Sequence, residues 1–139
     1  MEPGVDVIHR ILVLLDSSPV SGEALMEAMK IGKTYQSTII CIHPVARHDS
    51  LQVKVGQDLV ARAEGMVKSA GLGFDFRIVE DDPGPAVVKA ASRLDADLVV
   101  MGSLGEEGLK RQVVSSAADY VVRKAPCDVL VVKSDRSVF

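Results

Sequence analysis

The chain has 139 residues, 47% apolar and 25% charged, with a formal net charge of −3, which is the balance of one ordinary globular domain. It is long enough to bury about two-thirds of its unfolded surface, and with three Phe, two Tyr and no Trp that core must be aliphatic. The acidic balance, the absence of basic runs and the shortage of aromatic rings exclude nucleic acid as a partner, because phosphate neutralisation needs clustered Lys and Arg and single strands need stacking platforms.

Ile11, Leu12, Val13, Leu14 and Leu15 form a continuous apolar run that ends at Asp16-Ser17-Ser18-Pro19, the pattern of a buried strand feeding a helix start. A helix over 20–35 places Val20, Ala24, Leu25, Ala28 and Ile31 on one face. A second strand covers 38–45. Leu51, Val55, Leu59, Ala63, Met66 and Ala70 then recur at helical spacing. The pairs Asp58/Arg62 and Glu64/Lys68, acid before base at i,i+4, mark the solvated face of that helix. Gly71 stops it, and 74–80 alternates like a half-buried edge strand. Pro83-Gly84-Pro85 opens a shorter helix to about position 94, Leu98 to Met101 form a fourth strand, a helix covers 113–124, and Val129 to Val132 form the fifth strand.

Strands alternating with helices imply parallel crossovers and a sheet covered on both faces. The expected fold is therefore α/β: a single domain over 1–139, its core at about 9–133, built as a three-layer sandwich on a five-stranded parallel sheet. In flavodoxin-like sheets of this kind ligands bind beyond the carboxyl ends of the strands, where the strand order reverses. Asp16 and the turn after Gly102 follow the strands that flank this point. Glu2 and Asp6 stand where a signal peptide carries base, and no apolar run approaches the ~20 residues that span a bilayer. A cytoplasmic protein without membrane contact is expected. Cys41 and Cys127 lie inside apolar runs with no CxxC or Cys/His cluster, so they are expected as small buried hydrophobes, with neither a disulfide nor a metal site.

Three local motifs compete for function. Gly32-Lys33-Thr34 looks like the tail of a P-loop, but Glu27 stands where that loop needs its first glycine, and the triplet closes a helix; a helix stop with a capping lysine explains it better. Ser103 between Gly102 and Gly105 invites a serine-hydrolase reading, yet Met101 replaces the first glycine of the nucleophile elbow. The histidines lie early in the chain, with His43 in an apolar strand where a packed core role is the usual one. The stretch from Met101 to Lys110 says more. Gly102, Gly105 and Gly108 follow a buried strand, and Ser115 and Ser116 open the next helix. Such a turn brings backbone N–H groups and hydroxyls to a phosphate, or serves simply as a glycine turn with serine caps.

Taken in order, the opening Ile11-Leu12-Val13-Leu14-Leu15-Asp16-Ser17-Ser18, Cys41-Ile42-His43, Asp97-Leu98-Val99-Val100-Met101-Gly102-Ser103 and Ala125-Pro126-Cys127-Asp128-Val129-Leu130-Val131-Val132 resemble the universal stress protein family across nearly the whole chain. The resemblance implies the sandwich shared with adenine-nucleotide α-hydrolases and a homodimer joined through the last strand, Val129 to Val132. It also implies, for one branch of the family, ATP with Mg²⁺ held by G-x2-G-x9-G-[S/T]. The implied nucleotide site comprises Asp16, Leu14, Pro44, Met101, Gly102, Gly105, Ser115 and Ser116, with no catalytic residue and no resident metal.

Three positions depart from the family pattern. Leu14 replaces a frequent proline at a carbonyl contact, a mild change. Ser115 replaces the third glycine, where a side chain would strain at positive φ and narrow the approach to phosphate. Pro44 removes an N–H at the residue that the family sets against adenine, a loss of about 1–3 kcal/mol if the base nitrogen stays unpaired. Two readings stay open. One is a regulatory dimer that binds an adenine nucleotide without efficient catalysis. The other is a nucleotide-independent module that recognises a protein partner through the dimer surface or the 47–50 loop.

Overall fold

Strands and helices alternate along the chain as the periodicities require. The computed structural model describes residues 7–47, 49–103 and 115–133. Within them run β1 (Arg10–Leu14), α1 (Pro19–Tyr35), β2 (Thr38–Val45), α2 (Ser50–Ser69), β3 (Gly73–Glu80), α3 (Pro83–Arg93), β4 (Leu98–Gly102), α4 (Ser116–Lys124) and β5 (Asp128–Val132). The sheet order is β3-β2-β1-β4-β5, every pair parallel. The order reverses between β1 and β4. No helix among the described residues is long and apolar enough to cross a membrane.

Both faces of the sheet are covered, which is why the central strands read as unbroken apolar runs. Ile11, Val13, Ile39, Cys41 and Val100 meet α1 and α2 on one face. Leu12, Leu14, Ile40, Ile42, Val99 and Met101 meet α3 and α4 on the other. β3 lies at an edge, as its alternation predicts: Phe74 and Ile78 pack inward, while Asp75 and Arg77 form an exposed ion pair at 2.9 Å. Charges on an edge strand discourage pairing with another sheet.

Boundaries follow local chemistry. α2 begins where the Asp49 carboxylate accepts from the Gln52 N–H (2.8 Å) and is followed by Gly71 at φ +78°, a conformation that glycine adopts without cost. The helix expected over 20–35 ends at Tyr35, just after the Gly32-Lys33-Thr34 stretch expected to close it, with Lys33 in its last turn; Gln36 caps it in the left-handed region (φ 56°), its N–H returning to the Gly32 carbonyl. Gly32 also supplies clearance, since a Cβ there would lie 3.2 Å from Leu72 and 3.3 Å from Ile39. α4 begins at Ser116, and Val113 and Val114, expected to open it, lie outside the described residues.

Cys41 is buried in β2 and Cys127 half-buried before β5, and both are free. β1 and β4 stand between their strands, so a spacing of about 14 Å separates them where a disulfide spans at most ~7 Å between Cα atoms. Burial pushes the Cys41 thiol up to about 12. The Cys127 thiol is raised by burial, then by the Asp128 and Asp97 charges. Neither thiol has the lowered pKa of a reactive cysteine.

The amino end of α1 lies directly against the carboxyl end of β4. A Cβ on Gly102 would collide with Cγ1 of Val20 and sit 3.0 Å from its Cγ2, and Val20 is itself buried. Gly102→Ala should therefore cost about 1–3 kcal/mol by overpacking. Adding Val20→Ala should return part of that loss, as read by urea unfolding of the single and double variants; additive losses would mean that the two positions do not touch.

Candidate functional site

The carboxyl ends of parallel strands share one edge of the sheet, so each following helix begins there. Where the order reverses, α1 leaves on one face and α3 and α4 lie on the other, and a cleft opens between them. The cleft has a volume of about 640 Å³, within the ~300–1,000 Å³ of small-molecule sites.

Its first wall is the turn after β1. The Leu15 N–H still donates to the Ile42 carbonyl (2.9 Å), and then the chain turns. Oδ1 of Asp16 accepts from both the N–H (2.8 Å) and the hydroxyl of Ser18, an Asx-turn that holds the carboxylate at the cleft. The Asp16 N–H donates to Oγ of Ser21 (2.9 Å). None of these bonds uses Oδ2 of Asp16.

His43 secures the same turn from β2. Its Nδ1 lies 2.7 Å from the Leu15 carbonyl. A carbonyl only accepts, so Nδ1 carries the hydrogen. The ring is buried and occupies the space over Gly56 of α2, where a Cβ would lie 2.6 Å from Cδ2. The packed role expected for this histidine is the one observed. Pro44, next along β2, is half-buried and lines the cleft.

The third wall comes from β4 and α4. Ser103 joins three elements: its N–H donates to Val132 of β5 (2.8 Å), and its carbonyl accepts from the Ser115 N–H (2.7 Å). Ser115 is the N-cap of α4, and its hydroxyl accepts from the Ala118 N–H (3.0 Å). The strain expected at Ser115 is absent. With φ −65° and ψ 152° it has the extended geometry normal for an N-cap serine, and no glycine is needed.

Six of the eight expected site residues line this cleft: Leu14, Asp16, Pro44, Gly102, Ser115 and Ser116. Met101 does not; alternation along β4 turns its side chain to the face that α3 and α4 cover, where it is wholly buried in the core. Gly105 lies outside the described residues. Not anticipated from the sequence are Asp82, Pro83, Gly84 and Pro85 at the start of α3, together with Tyr120 of α4. A Cβ on Gly84 would meet the Tyr120 ring at 2.9 Å, so glycine between two prolines lets α3 and α4 close on each other. The topology carried the signal, since any helix after a parallel strand starts at this edge.

Three helix amino ends face the cleft, but they differ as anion donors. Pro19 opens α1, and Pro83 opens α3 with Pro85 two residues on, so the first turn of α1 loses one amide hydrogen and that of α3 loses two. α4 has no proline there. The N–H groups of Ser116 and Ala117 have no helical carbonyl to meet, and the Ser116 hydroxyl lies beside them. An anion is therefore best held at α4. Asp16 and Asp82 are the charged side chains among the described lining residues and suit hydroxyl or amine groups instead.

A family model described as the universal stress protein family matches residues 8–133. A universal stress protein of Methanocaldococcus jannaschii is 29% identical over 96% of this chain and 86% of its own length. Among solved structures, a universal stress protein from Lactobacillus plantarum is 25% identical with a TM-score of 0.73, covering 91% of this chain and 98% of that one. One from Archaeoglobus fulgidus, solved with dAMP, has a TM-score of 0.76 at 18% identity over 91% and 99% of the two chains. Others of this fold were solved with cAMP and with AMP.

If Ser115 acts as a cap, Ser115→Ala should lose about 1 kcal/mol of stability while Ser115→Gly loses only a few tenths. Equal losses in denaturant unfolding would remove the capping role.

Proposed function

Because the chain belongs to the universal stress protein family, we propose that its cleft binds an adenine nucleotide, ATP with Mg²⁺, as a regulatory ligand. The observation that carries this reading is the convergence of Asp16, Pro44 and the amino end of α4 on one cleft at the reversal point. The phosphates belong at the amides of Ser116 and Ala117 and the Ser116 hydroxyl. Oδ2 of Asp16 faces the nucleoside hydroxyls, and the base lies toward Pro44. Relatives solved with dAMP, cAMP and AMP share the adenine moiety. Among the described residues no three potential ligand side chains cluster to cage a metal, so Mg²⁺ would arrive on the phosphates.

Turnover is not part of this reading. The His43 ring is engaged with Leu15, and no described histidine is hydrogen-bonded to Ser103. A second reading, a module that recognises a protein partner without nucleotide, draws support from Leu51, 72% exposed, and Val55, 44% exposed, on α2 beside the 47–50 loop.

A ligand at 100 times its Kd adds about 2.7 kcal/mol, a melting shift of roughly 5–10 °C for a domain of this size. Mg²⁺-ATP or AMP should produce that shift and GTP should not. Ser116→Glu, which sets a carboxylate at the phosphate position, should abolish it. No shift at millimolar adenine nucleotide would favour the second reading.

We also propose a homodimer through β5. It is an edge strand, with Leu130 37% exposed and few charges to protect it. Leu130→Lys should then convert a dimer to a monomer in light scattering; a monomeric parent protein at tens of micromolar would sink the idea.

A further inference from the structure

We infer that Asp82, at the start of α3, is a specificity-determining residue of the cleft: its free carboxylate accepts a hydrogen bond from the amino group of a 6-aminopurine and turns away a 6-oxopurine. The inference rests on the adenine-nucleotide reading and adds to it a side chain that selects the base.

The sequence of α3 takes away the ordinary work of this carboxylate. Asp82 has the extended backbone of an N-cap (φ −70°, ψ 148°) but makes no side-chain cap bond. An N-cap oxygen accepts from the N–H of the second or third helical residue. In α2 Asp49 accepts from Gln52, and in α4 Ser115 accepts from Ala118, each three residues on. The corresponding residue of α3 is Pro85, which has no N–H. Lys89 of α3 is engaged elsewhere, donating to Oδ2 of Asp81 (3.0 Å), while Oδ1 of Asp81 accepts from the Asp82 N–H (2.8 Å). Among the described residues nothing pairs with the Asp82 carboxylate, and Asp82 lines the cleft.

Strand order fixes what this carboxylate meets. Neighbouring strands stand about 4.8 Å apart, and along the carboxyl edge they run β3, β2, β1, β4. Asp82 follows β3, Pro44 lies near the end of β2, and Asp16 follows β1. The start of α4 is tied to the end of β4 through the Ser103 carbonyl. A nucleotide with its phosphate at α4 and its ribose at Asp16 therefore extends its base past Pro44 toward Asp82. The 6-substituent of a purine sits on the ring remote from the sugar, so it is the group that reaches the α3 wall. An ionised carboxylate only accepts: an amine is held there, and a carbonyl oxygen is repelled.

The test measures AMP, purine riboside 5′-monophosphate, which lacks the amine, and IMP by calorimetry on the parent protein, Asp82→Ala and Asp82→Asn. Asp82→Ala should weaken AMP about tenfold and leave purine riboside monophosphate within about twofold of the parent. Asp82→Asn, whose amide donates to a 6-oxo group, should tighten IMP about tenfold over the parent, a gain that structural damage does not produce. Unchanged AMP affinity in Asp82→Ala, equal weakening of AMP and purine riboside monophosphate, or no gain of IMP in Asp82→Asn overturns the inference and leaves the nucleotide reading standing. Failure of the parent to bind AMP overturns both. A melting loss in Asp82→Ala as large as that of Asp49→Ala, about 4 °C, would mean that the carboxylate caps α3 after all and likewise overturns the inference.

Discussion

β1 stops at Leu14 while β2 continues to Val45, and the difference in length leaves the last main-chain groups of β2 facing a space that no strand fills. The buried His43 and the cleft-lining Pro44 lie along this overhang, and the Asx-turn of Asp16 forms opposite it. His43 reaches back to the Leu15 carbonyl, so the turn is tied to β2 by a main-chain bond and a side-chain bond together. A buried carbonyl left without that donor would cost about 1–3 kcal/mol. The cleft is thus a consequence of unequal strand lengths, held open by a histidine that touches the turn and α2 at once.

Close approach then brings the helix starts around this space. Gly102 admits Val20, Gly84 admits Tyr120 and Gly56 admits the His43 ring. In each case the missing side chain lets two elements come nearer than any Cβ would allow. Prolines in the first turns of α1 and α3 remove amide hydrogens there, whereas α4 keeps them. Three helix ends therefore point at the cleft, and their sequences give them different chemistry: α4 suits an anion, and the Asp16 side suits donors.

The same reasoning separates the departures at Ser115 and Pro44. Ser115 adopts the ordinary geometry of a cap, and its hydroxyl and N–H both serve α4 and the turn from β4. Its replacement of glycine costs the backbone nothing. Pro44 is likewise tolerated by the sheet, because alternation along β2 turns its nitrogen away from the β2–β3 ladder. Ser115 is absorbed by local structure, whereas Pro44 lines the cleft.

Strand and helix order, the covered sheet, the edge position of β3 and the placing of Asp16, Ser115 and Ser116 near the carboxyl edge were legible because period and caps are local properties of a chain. Leu12 and Val13 alternate between faces whatever surrounds them. The sequence could not by itself show that Gly32 provides clearance for Leu72 and Ile39. Nor could it show that Met101 faces the core, or that the start of α3 and Tyr120 close the cleft. Those outcomes depend on distances between segments far apart in the chain, which exist only once the sheet order has brought β1 beside both β2 and β4.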